Sequence, residues 1–212
     1  ENLEENPHGV WVWNHHFDWE YRELLKAPWY SALAQGQGLS VLVRAYLHTK
    51  DEKYADAAKK AFDSCCIELA DGGVKFTDKS GYVWLEEVVL EPPTHILNGF
   101  MWALWGIHDY ALMTGDGSAQ ALYDDCLRTL RDNLRQFDAG IWSLYEQSGT
   151  LIPMVASPFY HSLHIVQLLV MHRLTGESFY AEYADRWERY AENKLYRVLS
   201  LIWKAIFKIF YY

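Results

Sequence analysis

The chain has 212 residues, half of them hydrophobic, and a net charge of −9, so it is a folded globular chain and not a disordered one. No basic stripe is present to release counterions, which argues against nucleic acid as a partner. The unusual number is the aromatic load of 10 Trp, 15 Tyr and 9 Phe, which suits either a thick core between helices or a cleft lined with flat rings, as sugar-binding clefts often are.

Residues 1–27 read as an irregular N-terminal segment, with His15-His16-Phe17-Asp18-Trp19-Glu20 as an irregular or capping piece. From residue 28 a repeat begins. Three apolar segments each start just after a proline and end in a short turn: Pro28 to Asp51, Pro93 to Asp116 and Pro158 to Glu177. Proline suits the first helical position, and Gly115 and Gly176 suit left-handed helix ends. A more polar, one-faced helix follows each turn, at about 52–69, 118–136 and 177–193. Short extended runs at 71–87 and 138–146 return the chain to the next apolar helix. Inner helix, outer helix and return loop thus repeat about every 65 residues. The expected fold is all-α: an α/α toroid, or incomplete α/α barrel, of about three helical hairpins over 28–194 with short β-hairpin loops.

Residues 195–212 form a separate basic amphipathic helix, with Arg197, Ser200, Lys204 and Lys208 on one narrow stripe. Three cations make it a poor membrane span. It is expected to cover an open end of the toroid, to meet a second subunit in a homodimer, or to make a membrane-surface contact. Cys65, Cys66 and Cys126 match no zinc spacing and read as free thiols.

In such a ring the inner helices begin on one rim, where unpaired N–H groups favour anions. Tyr30, His95 and Tyr160 each lie two residues after a signature proline, and the return loops add Glu86, Glu87 and Tyr145. This set suits acid–base work on an acidic sugar; the competing reading makes the tyrosines hydrogen-bonded packing residues. Gln35, Gln37 and Asn98 are candidates to bind sugar hydroxyls, with packing roles as the equal alternative. Arg44 reads as a structural salt-bridge residue, and is otherwise a candidate partner of Glu87 or of a substrate carboxylate. His161 and His164, spaced i and i+3, join the substrate-binding candidates; no third ligand follows, so no metal is assigned.

The stretches WYSALAQGQGLSVLVRAYL (29–47), LEE (85–87), ILNGFMWALWGIHDY (96–110), YEQ (145–147) and YHSLHIVQLL (160–169) carry a resemblance. In this order they resemble the C-terminal domain of the glucuronyl 5-epimerases of heparan sulfate and heparosan biosynthesis. The resemblance implies an α/α toroid, a uronate-containing polysaccharide as partner and no cofactor. It implies inversion of glucuronate at carbon 5, with one group removing the proton and another returning it from the opposite face. By position, Glu87, Tyr145 and Tyr160 match groups proposed to act in that family. Val88 replaces the family's tyrosine after the Glu pair, Ser148 an arginine, and Ser157-Pro158-Phe159 an Arg-Trp-Asp run. Two other readings stay open: a lyase or hydrolase on the same fold, and a sugar-binding scaffold without turnover.

Overall fold

The computed structural model describes residues 2–211 and is about 60% helical. Seven α-helices are present among the described residues: α1 (Ala32–Thr49), α2 (Glu52–Cys66), α3 (Leu97–Thr114), α4 (Gly117–Asn133), α5 (Pro158–Thr175), α6 (Ser178–Glu192) and α7 (Lys194–Tyr211). The residues fall into two compact units. One runs to His95 and includes Gly99–Asp132; the other holds Ile96–Asn98 and everything from Asn133 onward.

The shared proline-led start holds only for α5. There Pro158 opens the helix and Ser157 Oγ accepts the Tyr160 N–H. Pro28 instead precedes a two-residue strand, and Ser31 caps α1 by accepting the Ala34 N–H. Pro93 lies four residues before α3, and His95 between them takes a left-handed φ of 49°. The hairpin turns follow the sequence more closely. Lys50 and Gly176 close α1 and α5 in the left-handed conformation.

Residues 2–30 are not irregular. They carry β1 (Leu3–Glu5), β2 (Trp11–His15), β3 (Trp19–Glu20), β4 (Leu24–Leu25) and β5 (Trp29–Tyr30). β1, β2 and β5 form an antiparallel sheet, and β3 pairs with β4. These strands are short and rich in Trp, so no clean period-2 pattern marks them. The expected hairpin between the first two repeats is β6 (Lys75–Thr77) with β7 (Val83–Leu85). The loop after α4 forms only isolated bridges, Asp138 with Ser143 and Leu144 with Val155.

In the first unit α1 crosses α3 with almost no gap. A Cβ built on Gly36 would lie 2.4 Å from Ala103 Cα, and one on Gly106 would lie 2.3 Å from the Gly36 carbonyl oxygen. Phe62 of α2 stacks on Tyr110 of α3 at 4.6 Å, and His108 of α3 meets Tyr123 of α4 at 4.8 Å. Burial pushes the Cys65 thiol up to about 12 and Cys126 well up, so both are inert packing groups. In the second unit α5 packs on α6, with Trp187 of α6 fully buried.

Candidate active site

Two adjacent glutamates follow β7, and the structure separates their roles. Glu86 is fully buried. Its Oε2 accepts the N–H groups of Thr94 (3.1 Å) and His95 (2.9 Å), and its Oε1 lies 2.5 Å from His95 Nδ1. It thus closes the 86–95 loop and holds His95 in its left-handed turn, with the imidazole stacked on Trp84 at 4.2 Å. The Glu86 carbonyl also accepts the Ala32 N–H at the start of α1.

Glu87 reaches instead into a cavity of about 290 Å³ walled by His15, Phe17, Trp19, Trp29, Ser31 and Leu33. Trp19 and Trp29 stack at 5.2 Å, and Phe17 meets Trp29 edge-on at 5.6 Å. The carboxylate lies against Gly99 in the first turn of α3, where the helix dipole favours negative charge. A Cβ on Gly99 would stand 2.7 Å from Glu87 Cβ and on top of its Oε2. Gly99→Ala is therefore expected to displace Glu87 and lower activity by about tenfold or more while the fold persists, since small displacements of reacting groups are costly. Unchanged kinetics in that variant would show that Glu87 needs no fixed position. His15, Phe17 and Trp19 of this wall come from residues 1–27, outside the repeat, and Trp29 from the start of its first copy; the excess of Trp was the available signal.

Several sequence candidates are placed elsewhere. Tyr30 is half-buried between Trp29 and Ser31 and does not line the Glu87 cavity. Alternation along β5 turns it to the other side. Burial raises its phenol above the usual value, against an opposing hydrogen bond with Asn6. Gln35 is a packing residue: fully buried, it accepts the Trp13 N–H and donates to the Trp11 carbonyl and Ser64 Oγ. Gln37 is exposed. Arg44 pairs with Asp109 at 2.6 Å beside a different cavity, so it is not the partner of Glu87. Thirteen residues of helix separate it from Ser31, or roughly 20 Å. Asn98 is buried, and its carbonyl accepts from Gln167.

The second unit gathers the tyrosines. Tyr145 and Tyr160 meet at 4.8 Å between ring centroids, with Tyr145 buried and Tyr160 half-buried. Two residues that the sequence reading did not select stand beside them. Lys204 of α7 places its Nζ 6.0 Å from the Tyr145 ring and donates to the Val155 carbonyl. Burial, then Lys208, lowers the Lys204 ammonium to about 8, against Glu146. Burial raises Glu146 to about 7, opposed by a hydrogen bond from Ser148 and by Lys204. Lys204 brings a cation to a neighbourhood where Ser148 stands in place of the expected arginine. The signal was its place on the polar stripe of the last helix.

His161 and His164 are not exposed ligand groups but a buried lock. His161 Nε2 donates to the Trp187 carbonyl (2.9 Å), so its Nδ1 is an acceptor, and it takes the Ser143 N–H. Ser143 Oγ lies 2.8 Å from that Nδ1 and 2.9 Å from His164 Nδ1. The lock fixes Tyr145 two residues after Ser143 and Tyr160 one residue before His161. Burial lowers His161 to about 4, against its bond to Trp187; burial, and then His161, lowers His164 to about 3. Both folded-state values lie below the ordinary 6.5, so this stability is full above pH 6.5 and is lost as pH falls through 4 and 3. The loss expected is a few kcal/mol in all. Melting followed by circular dichroism should show a steep fall between pH 6.5 and 4; a flat profile there would mean the imidazoles are already charged.

The solved structures that share this architecture fix its class. A cellobiose 2-epimerase from Spirochaeta thermophila superposes with a TM-score of 0.52 at 15% identity, over 74% of this chain and 42% of that one. A glycoside hydrolase family 76 mannosidase from Bacteroides thetaiotaomicron gives 0.54 at 15% identity, over 89% and 48%. Both are α/α toroid enzymes, and the chain has that fold class. Residues 5–189 match the family of the D-glucuronyl C5-epimerase C-terminus, and the chain belongs to that family. It is 34% identical to the D-glucuronyl C5-epimerase of Caenorhabditis elegans over 82% of its own length and 30% of that protein's. It is 32% identical to an uncharacterized protein of Methanocaldococcus jannaschii over 83% of its own length and 56% of that protein's. The chain thus spans about a third and about half of these two relatives.

Proposed function

We propose that the chain carries acid–base groups of an epimerase that inverts carbon 5 of D-glucuronate residues in a polysaccharide, giving L-iduronate. The observation that carries this reading is Glu87, a carboxylate held at a helix N-terminus inside an aromatic-walled cavity. Membership of the epimerase family supports it. Flat rings such as Trp19 and Trp29 suit the apolar faces of a sugar.

In the proposed reaction Glu87 takes the proton from carbon 5 as its C–H bond breaks. The electron pair is delocalised into the neighbouring carboxylate of the sugar. A second acid–base group then returns a proton to carbon 5 on the other face. The phenols of Tyr160 and Tyr145 are the candidates, on their match to positions of the family. One proton leaves and one arrives, so no redox group takes part. A phenol with an ordinary pKa near 10 transfers protons poorly near neutrality unless a cation or donors stabilise its anion. Lys204, close to Tyr145, is the cation suited to that task.

The test is incubation with a glucuronate polymer of the heparosan type in deuterated water. Deuterium at carbon 5, together with new iduronate, is expected. Unsaturated chain ends absorbing in the ultraviolet would assign a lyase instead. Absence of exchange on any uronate polymer by the folded chain would overturn the proposal.

A further inference from the structure

The last helix docks by its polar edge and turns its apolar side to water. Ser200 and Phe207 of α7 are buried. Lys204 Nζ donates to the Val155 carbonyl and Trp203 Nε1 to the Pro153 carbonyl, each at 3.0 Å. The Tyr211 hydroxyl accepts the Ile152 N–H. On the opposite side Leu195, Val198, Ile202, Ile206 and Ile209 stand at helical spacing, and all are exposed. Ile209 is 78% exposed and Leu195 62%. Phe210 and Leu199 border this row. The row is longer than a chance surface leucine explains, spanning roughly 20 Å at 1.5 Å per residue.

The charges beside the row point to what covers it. Lys194, Arg197 and Lys208 are exposed along one flank, and α7 contains no Asp or Glu, although the whole chain carries −9. An apolar face with a basic flank is the pattern of helices that lie in a membrane interface. Pairing with a second copy through this face would set both basic flanks near the seam, with no acid on either helix to meet them. Anionic headgroups meet that flank directly. No helix among the described residues is long and apolar enough to cross a membrane.

We propose that α7 seats the protein on an anionic lipid surface, with Leu195, Val198, Ile202, Ile206 and Ile209 among the acyl chains and Lys194 and Arg197 at the headgroups. Because the rest of the chain is acidic, attachment depends on this helix alone and weakens with salt.

The experiment is flotation of the full chain with vesicles of phosphatidylcholine plus phosphatidylserine, against pure phosphatidylcholine. Binding to the anionic vesicles is expected, with little to the neutral ones. Ile202→Glu with Ile209→Glu should reduce it at least about tenfold, and so should Lys194→Glu with Arg197→Glu. Circular dichroism should stay unchanged, since none of these side chains is buried. No binding to anionic vesicles overturns the proposal. So does a dimer in size-exclusion chromatography that the Ile202→Glu, Ile209→Glu variant dissolves while the unmodified chain ignores vesicles; the face is then a self-interface.

Discussion

Glutamine in place of Glu87 is expected to lower the rate of carbon-5 exchange by about a thousandfold, within the range that loss of a positioned base produces. The substitution keeps the shape of the side chain, its packing on Gly99 and the aromatic walls of the cavity. It removes the negative charge and with it the capacity to accept a proton. Stability should change little, because Glu87 is half-buried and the pocket stays filled. The neighbouring substitution gives a contrast. Glu86→Gln breaks the buried anchor of Thr94, His95 N–H and His95 Nδ1. It should act first on stability, by about 2–4 kcal/mol, as expected when buried groups lose a charged partner. Deuterium exchange and thermal melting of both variants separate the two roles. Wild-type exchange in Glu87→Gln would remove Glu87 from the reaction. Tyr160→Phe should likewise cost about a hundredfold or more.

Leucine in place of Gly36 is expected to cost at least about 3 kcal/mol, at the upper end of overpacking effects. The atoms in the way are main-chain atoms, Ala103 Cα and the Trp102 carbonyl oxygen. Backbone cannot rotate aside as a side chain can, so α1 and α3 must separate. Gly106 returns the contact onto Gly36, which doubles the area that opens. The midpoint of urea unfolding measures the loss. Gly117→Ala, with open space around its Cβ position, serves as the control and should fall within about 0.5 kcal/mol of the parent. Equal midpoints for both variants would show that the helices do not meet at Gly36.

The contrast between Gln35 and Gly36 shows what was legible in the sequence. The stretch AQGQG was visible as a marked feature of the first inner helix, and its glutamines read equally as sugar ligands or as packing residues. In the fold its glycines give close helix contact, and Gln35 ties α1 to β2 and α2. Helix periodicity placed all the outer helices to within a few residues, because amphipathic spacing is a local property. Spacing set Glu87, Tyr145 and Tyr160 among the rim candidates with Tyr30, His95 and Glu86, and the resemblance of short motifs singled out these three. The aromatic wall was missed because β2, β3 and β5 are two to five residues long and find their partners through tertiary pairing. His161 and His164 misled for a related reason. A histidine pair at i and i+3 looks the same whether it faces a ligand or a serine hydroxyl from a distant loop.

Glu86 and Glu87 are adjacent in the chain and differ in fate. Both stand just past the end of β7, where the chain bends, and one carboxylate anchors the loop while the next meets the cavity. A change of length in the turn between β6 and β7 leaves the two glutamates at the same remove from Leu85. Loss of a single residue between Leu85 and Glu87 is a different event. It sets the Glu87 side chain where the buried Glu86 stood, and leaves a protein of nearly the same composition whose cavity lacks the carboxylate proposed as proton acceptor.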